Sequence, residues 1–141
     1  MKILLAVDGS AYTKKMLAYL AAHDELTTGG RHDYTVLTVQ AQLPPRARAA
    51  LGKDVIEQYY AEEAAKVLDP VSEFLGQNHV QPQRLSKVGP AGETIAKVAE
   101  EEKFDLIIMG THGHGSLGKL VMGSVSTQVL AHCSVPVLLI R

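Results

Sequence analysis

The residues from 110 to 127 have the composition of an anion-binding loop. Five of the chain's 12 glycines (110, 113, 115, 118 and 123) lie close together here, and hydroxyls follow at Ser124, Ser126 and Thr127. Glycine lets a ligand approach backbone N–H groups closely, and N–H groups at a helix start attract negative charge. No acidic residue follows Asp105. The pattern predicts a phosphate site, in which a side chain at Gly123 would occupy the space of the phosphates.

Three known spacings can be tested on this stretch. Residues 113–118 match the dinucleotide pattern G-x-G-x-x-G, but the acid expected about 20 residues later is missing. Residues 113–119 match the phosphate loop G-x-x-x-x-G-K-[ST] as far as Lys119, where Leu120 then replaces the metal-binding hydroxyl. A third spacing, G-x-x-G followed nine residues later by G-[ST], fits without a defect at Gly110, Gly113 and 123–124. The third spacing is therefore favoured.

A few other side chains could do chemistry. Asp8 follows the first apolar run, and it would either contact a ligand or metal or only cap a helix, as Ser10 could. His112 and His114 could reach one ion, but no third ligand is near, so phosphate contact or plain exposure is favoured over zinc. Cys133 is expected to be inert rather than a redox centre. No arrangement of acid and base is evident, so no catalytic residue is predicted.

Apolar runs alternate with amphipathic stretches along the chain. Continuous runs predict buried strands at 3–7, 34–39, 80–88, 105–109 and 135–140. Helical spacing predicts a helix that starts after Ser10 and is broken at 27–30, and further helices over 54–77, after the turn at 89–92 and over 120–132.

Two stretches between these elements carry further expectations. Residues 44–53 are predicted to be a loop with a basic cluster at Arg46, Arg48 and Lys53. Pro70 predicts a kink or a break near Asp69, because proline removes a helical hydrogen bond. The stripe of residues 59, 60 and 74, all aromatic, is expected to pack in the core.

The alternation of strands and helices predicts the fold class. It indicates an α/β domain over residues 1–141, with a doubly wound five-stranded parallel sheet and helices on both faces. Ligands bind such sheets beyond the carboxyl ends of the strands, where the strand order reverses. The loops after Val7, Val39, Val88 and Met109 are therefore the candidate ligand positions.

Composition excludes several classes of protein. A length of 141 residues suits one domain, and 46% hydrophobic residues argue against intrinsic disorder. The formal net charge of -1 argues against binding to nucleic acid through bulk positive charge. A single cysteine excludes an internal disulfide, and the apolar runs are too short for a signal peptide or a membrane span. We therefore expect a cytoplasmic protein.

Segments along the whole chain together resemble the nucleotide-binding branch of the universal stress protein family. They are residues 5–10 (LAVDGS), 89–95 (GPAGETI), 105–113 (DLIIMGTHG), 123–126 (GSVS) and 134–139 (SVPVLL). The resemblance implies a Rossmann-like, nucleotide-binding α-hydrolase-like fold. It also implies an adenine nucleotide (ATP, ADP or AMP), often with Mg²⁺ or Mn²⁺, and a homodimer that pairs the last strand, Val135 to Ile140.

The resemblance also implies roles for individual residues. Asp8 would lie near the ribose and phosphates, with a possible contact to the metal. The implied contacts to the base or ribose are Val7, Val39, Met109 and Gly110, and those to the phosphates and ribose are His112, Gly113, Gly123, Ser124, Val125 and Ser126. One departure is His114 after Gly113, because a mostly uncharged histidine would contact phosphate more weakly than an arginine.

Three functions stay open at this point. The favoured one is a regulatory module of the stress response that binds ATP and changes its loops and so its partners. The second is a slow ATPase or phosphotransferase, for which few positioned charged groups are evident. The third is a dimeric interaction platform without nucleotide, against which the intact glycine pattern speaks.

Overall fold

The computed structural model describes residues 1–27, 32–114 and 121–141. The strands are β1 (Lys2–Ala6), β2 (Asp33–Gln40), β3 (Gln83–Val88), β4 (Leu106–Gly110) and β5 (Val137–Ile140). The helices are α1 (Ala11–Ala22), α2 (Asp24–Thr27), α3 (Pro45–Ala50), α4 (Lys53–Gln77), α5 (Ala91–Glu101) and α6 (Ser124–His132). All five predicted strands are present, although β3 and β5 begin two or three residues later than the apolar runs suggested.

The five strands form one parallel sheet in the order β3-β2-β1-β4-β5. β1 lies at the centre, where its Leu4 is in register with Thr35 of β2 on one side and Ile107 of β4 on the other. The chain adds strands outward from β1 in one direction and then, from β4, in the other. The order therefore reverses between β1 and β4, which confirms the predicted doubly wound sheet.

Helices cover both faces of the sheet because the strands are apolar on both. Ile3 and Leu5 face a core cluster that includes residues of α1 and α4. Leu4, between them, faces the opposite cluster, to which α5 and α6 contribute. All three side chains are fully buried, and complete burial of such a side chain stabilises a fold by about 1.5–3 kcal/mol. This explains why the apolar runs are continuous rather than alternating.

The start of α1 confirms one expectation and its end corrects another. Ser10 caps the helix, because its hydroxyl oxygen accepts a hydrogen bond from Tyr12 N at 3.2 Å. The helix ends at Ala22 and a short α2 follows, so the break comes before the predicted stretch 27–30. Of that stretch, residues 28–30 lie outside the part of the chain that the structure describes.

The predicted loop at 44–53 is wrong in its centre, where α3 forms. Pro45 stands at the first helical position, where the missing N–H has no helical partner to lose. The break predicted near Asp69 is also wrong, since α4 continues through Pro70. Both Asp69 and Pro70 are exposed, so water can reach the carbonyl that loses its hydrogen bond to the proline.

Two further expectations need correction. α6 starts at Ser124 rather than near Leu120, since Val121 and Met122 are not helical and Leu120 is not among the described residues. Tyr59 is not a core residue, because 42% of it is exposed. Across the described ranges, no helix combines the length and apolarity needed to cross a membrane.

Candidate functional site

A cleft of about 720 Å³ opens at the carboxyl ends of the central strands, beside the point where the strand order reverses. All eleven residues predicted for the ligand site line this cleft: Val7, Asp8, Val39, Met109, Gly110, His112, Gly113, Gly123, Ser124, Val125 and Ser126. They come from four separate segments of the chain. The fold thus brings the predicted set together, and which members contact a ligand stays a prediction.

The turn after β1 places Asp8 at the floor of the cleft. Gly9 has a φ of 79°, in the left-handed region that favours glycine. Asp8 Oδ1 accepts hydrogen bonds from Ser10 N at 2.9 Å and Thr13 Oγ1 at 3.0 Å. Burial raises the pKa of the Asp8 carboxyl, but these hydrogen bonds and the attraction of His114 outweigh burial and hold the pKa below 3.8. Asp8 is therefore an anion at neutral pH.

The same turn contacts the glycine loop after β4. A Cβ added at Gly113 would lie 2.5 Å from Asp8 Oδ2, so only glycine fits beside that oxygen. His114 Nε2 lies 2.8 Å from the Asp8 main-chain oxygen and donates a hydrogen bond to it. Asp8 thus has one carboxylate oxygen held by its own turn and the other facing Gly113. Gly115, Gly118 and Lys119 of this loop lie outside the described residues.

The start of α6 forms the opposite side of the cleft. The first helical N–H groups, at 124–126, have no partner within the helix, and these three residues line the cleft. The hydroxyl of Ser126 is buried and lies 2.9 Å from the Thr111 carbonyl oxygen, to which it donates. The hydroxyl of Thr127 donates to the Gly123 carbonyl. Of the three predicted hydroxyl donors, Ser124 is exposed and points to no described partner.

Gly123 also has a packing role that the sequence did not suggest. A Cβ at this position would lie 3.3 Å from both the Thr111 carbonyl oxygen and His112 Cα. Gly123 N also donates to the Thr111 carbonyl at 2.7 Å. The glycine therefore lets the start of α6 pack closely against the chain that follows β4, and the space it leaves for phosphates stays a prediction.

The remaining wall of the cleft is apolar. Val39 and Met109, which were predicted, lie there with residues that the sequence reasoning missed: Ala6, Leu37, Ala41, Ala91 and Ile95. Their positions at strand ends and at the start of α5 could have identified them once the strand order was known. A cleft that combines apolar side chains with open N–H groups suits a ligand with an aromatic base at one end and an anion at the other.

Two threonines were also missed. Thr13 Oγ1 accepts hydrogen bonds from Asp8 N and Gly9 N, at 3.1 and 3.2 Å, and so closes the turn. Thr111 is buried and connects α6 to β5, because its N–H donates to the Ile140 carbonyl while its own carbonyl accepts from Gly123. Thr111 directly follows Gly110 in the glycine motif, and this position was the available signal.

His112 and Cys133 make local contacts with neighbouring residues. The ring of His112 lies 5.0 Å from the Tyr12 ring, and its Nδ1 is 2.9 Å from Thr111 Oγ1. Within the described residues, no three side chains of the His, Cys, Asp or Glu type are grouped as a metal site. Cys133 is half-buried, with its Sγ 4.0 Å from the Val135 carbonyl oxygen.

Fold and cleft together define an α/β domain with a ligand cleft at the reversal of strand order. The model of the universal stress protein family matches residues 1–141. A universal stress protein of Synechocystis is 36% identical over 140 residues, which are 99% of this chain and 42% of that protein. One of Thermus aquaticus is 34% identical over 140 residues, which are 99% and 97% of the two chains. The chain belongs to the universal stress protein family.

Solved structures agree with this assignment. The structure of the Methanocaldococcus jannaschii protein MJ0577 has a TM-score of 0.83 and 26% identity, and the match covers 99% of this chain and 94% of that one. An Arabidopsis thaliana family member, solved with AMP bound, has a TM-score of 0.70 at 15% identity. An Archaeoglobus fulgidus member, solved in complex with dAMP, has a TM-score of 0.65 at 22% identity. These last two likenesses show the fold alone.

Proposed function

We propose that this protein binds an adenine nucleotide, ATP or its products ADP and AMP, and acts as a regulatory module of the cytoplasmic stress response. The observation that carries the proposal is the cleft itself. Its lining combines apolar side chains with the start of α6 and the turn at Gly110–Gly113, where backbone N–H groups can bind an anion. Family members with this fold that were solved with AMP and dAMP support the choice of an adenine nucleotide.

Different residues of the cleft would bind the phosphates, the base and the ribose. The N–H groups at the start of α6 and the exposed hydroxyl of Ser124 would bind the phosphates, since helix starts favour anions. Val39 and Met109 would pack against the base, because the removal of its apolar faces from water lowers the free energy. Asp8 lines the cleft, and its carboxylate would accept a hydrogen bond from a ribose hydroxyl. Binding would thereby alter the surface at the cleft mouth that a protein partner contacts.

A divalent cation fits this arrangement. Mg²⁺ usually binds one or two carboxylates together with substrate phosphates and water. Asp8 supplies one carboxylate, and its lowered pKa keeps it ionised at neutral pH. We propose that Mg²⁺ or Mn²⁺ enters with the phosphates and reduces their repulsion of Asp8.

Asp8 is a poor general base for hydrolysis. A carboxylate with a lowered pKa accepts a proton weakly, and efficient catalysis needs a base whose pKa is near the working pH. We therefore expect binding with turnover below about one per minute. Faster turnover, measured as phosphate release, would favour the enzyme alternative.

Equilibrium binding tests the proposal directly. Nucleotide-stripped protein is titrated with ATP, ADP and AMP by calorimetry, with and without Mg²⁺. We expect saturable binding, and Mg²⁺ should strengthen the binding of ATP more than that of AMP. Failure of all three nucleotides to bind at millimolar concentration contradicts the proposal.

We further propose a homodimer through β5. The carbonyls of Pro136 and Ile140 face β4, where they accept from Ile107 N and Thr111 N. The polar groups of the alternate residues, Val137 and Leu139, therefore face the open edge. An exposed apolar edge strand of this kind tends to pair with another strand, and a second copy of the chain would supply that strand.

A proline at this edge tests the dimer. Val137→Pro removes an outward N–H at the first residue of β5, a position at which a strand tolerates proline. We expect the variant to be monomeric by light scattering at concentrations where the parent dimerises. A dimeric Val137→Pro would place the interface elsewhere.

A further inference from the structure

The segment after β2 forms part of the apolar wall of the cleft. Val39 and Ala41 line the cleft, and Gln40 lies between them. Gln40 ends β2, where its main-chain carbonyl accepts a hydrogen bond from Gly89 N at 2.8 Å. Beyond Gln40 the chain leaves the sheet, so the position of Ala41 depends on contacts outside the strand ladder.

Those contacts come from one residue of α4. Gln40 Nε2 donates a hydrogen bond to the main-chain oxygen of Tyr60 at 2.7 Å. Leu43 N donates to the Tyr60 hydroxyl oxygen at 2.8 Å. Tyr60 therefore holds the chain on both sides of Ala41, once through its backbone and once through its side chain.

A third side chain strengthens the attachment. Arg48 Nε, in α3, donates to the Leu43 carbonyl at 3.1 Å. Both main-chain polar groups of Leu43 are thus used, the N–H by Tyr60 and the carbonyl by Arg48. Within the described residues, these three hydrogen bonds involve neither residues 110–114 nor the start of α6.

Tyr60 has a rigid support and does not itself line the cleft. One and two turns further along α4, Ala64 and Leu68 are buried in the core under the sheet. Tyr60 is half-buried, while the preceding Tyr59 is 42% exposed. A hydrogen bond from such an anchored helix can fix a neighbouring loop at a modest entropic cost.

We infer that Tyr60 is a positioning residue that fixes the apolar wall at Val39–Ala41 against the base of the bound nucleotide. The inference rests on the proposed function and adds to it a division of labour. The start of α6 binds the phosphates independently of Tyr60, whereas binding of the base depends on the Tyr60 hydroxyl.

The variant Tyr60→Phe tests this division, because it removes the hydroxyl and keeps the ring. AMP and ribose 5-phosphate, which lacks the base, are each titrated against stripped protein. We expect AMP to bind between about two- and tenfold more weakly, the range for loss of one hydrogen bond. Ribose 5-phosphate should bind the variant and the parent alike.

Tyr59→Phe is the matched control. It removes a neighbouring hydroxyl and keeps a ring 5.8 Å from the Tyr60 ring, and it should leave both affinities unchanged. Amide hydrogen exchange gives a second measurement that needs no ligand. Exchange at Leu43 should become faster in Tyr60→Phe and stay as in the parent in Tyr59→Phe.

The possible outcomes separate this inference from the proposed function. If the parent chain binds none of ATP, ADP and AMP, the proposed function is overturned, and the role of Tyr60 with it. Parental AMP affinity in Tyr60→Phe, beside a parent that binds, overturns the inference alone. Equal weakening of AMP and ribose 5-phosphate also overturns it, since Tyr60 would then act on the whole fold.

Discussion

The two ends of the sheet differ in how far their backbone polar groups are hydrogen-bonded. At the amino end, Lys2 N donates to Asp105 Oδ2 at 2.7 Å, and Asp105 N donates back to the Lys2 carbonyl at 2.7 Å. Asp33 N donates to the Met1 carbonyl, and Lys2 Nζ to the Glu102 carbonyl. A groove of about 390 Å³ lies there among polar side chains. At the carboxyl end, the first N–H groups of α6 face a larger and more apolar cleft.

This contrast indicates that the amino end of the sheet contributes mainly to stability, whereas the carboxyl end has hydrogen-bond donors available to a ligand. Paired polar groups stabilise the protein but offer little to a ligand. Unpaired N–H groups at a helix start favour an anion instead. Substitutions at the carboxyl end should therefore change binding first, and those at the amino end should change stability first.

The largest expected effect follows from adding a methyl group at the carboxyl end. Gly113→Ala would place Cβ 2.5 Å from Asp8 Oδ2, and that carboxylate is anchored by its own turn. We expect AMP to bind about 5- to 100-fold more weakly, because overpacking costs about 1–3 kcal/mol. Calorimetric titration measures the change.

Gly52→Ala is the control for that substitution. No atom lies within 4 Å of a Cβ at Gly52, so AMP affinity should remain parental. If Gly113→Ala binds AMP as the parent does, the contact between the two turns does not shape the site, and the contrast between the ends fails.

An intermediate effect is expected at the amino end. Asp105→Ala removes the acceptor of Lys2 N and should lower the free energy of unfolding by about 1 kcal/mol. Urea unfolding measures this loss, and AMP affinity should stay within about twofold of the parent. Asp33→Ala, whose side chain is exposed, should leave both quantities unchanged. Weakened AMP binding in Asp105→Ala would show that the two ends are coupled.

The smallest effect concerns acid pH. The pKa of Asp8 is lower in the folded chain than its ordinary value of 3.8, so the unfolded chain binds more protons on this group. The stabilisation is complete above the ordinary value and is lost as the pH falls through the lowered one. Asp8→Asn should therefore be less stable than the parent near neutral pH, and urea unfolding should show the difference shrinking below about pH 4. A difference in the free energy of unfolding that grows as the pH falls would show that folding raises, rather than lowers, the pKa of Asp8.

The sheet could be predicted because its signals are local. Continuous apolar runs such as Ile3–Val7 identify strands buried on both faces, and their alternation with helices determines the class of fold. The cap at Ser10 was equally readable, since a serine hydroxyl before a helix commonly accepts a hydrogen bond from one of its first N–H groups. α3 could not be predicted, because none of its six residues is buried and they carry no apolar period.

Other features depended on tertiary contacts. The passage of α4 through Pro70 depends on which side of the helix faces water, and this was settled only by packing. The packing role of Gly123 comes from Thr111 and His112, just after β4 and 12 and 11 residues away in sequence. The role of Tyr60 depends on a hydrogen bond to Leu43 across a separate loop. Contacts of this kind, between residues far apart in the sequence, cannot be inferred from the spacing of residues along it.

The central position of β1 has a consequence for the assembly of the protein. β1 is the first strand of this sequence, but its neighbour β4 begins only at Leu106. During synthesis one edge of β1 therefore stays open until β4 has emerged from the ribosome, and an open apolar edge favours aggregation. The cleft needs the turns after both strands, so a ligand stabilises only the finished sheet and no partial product. The proposed nucleotide would therefore stabilise only chains in which β1 and β4 are already paired.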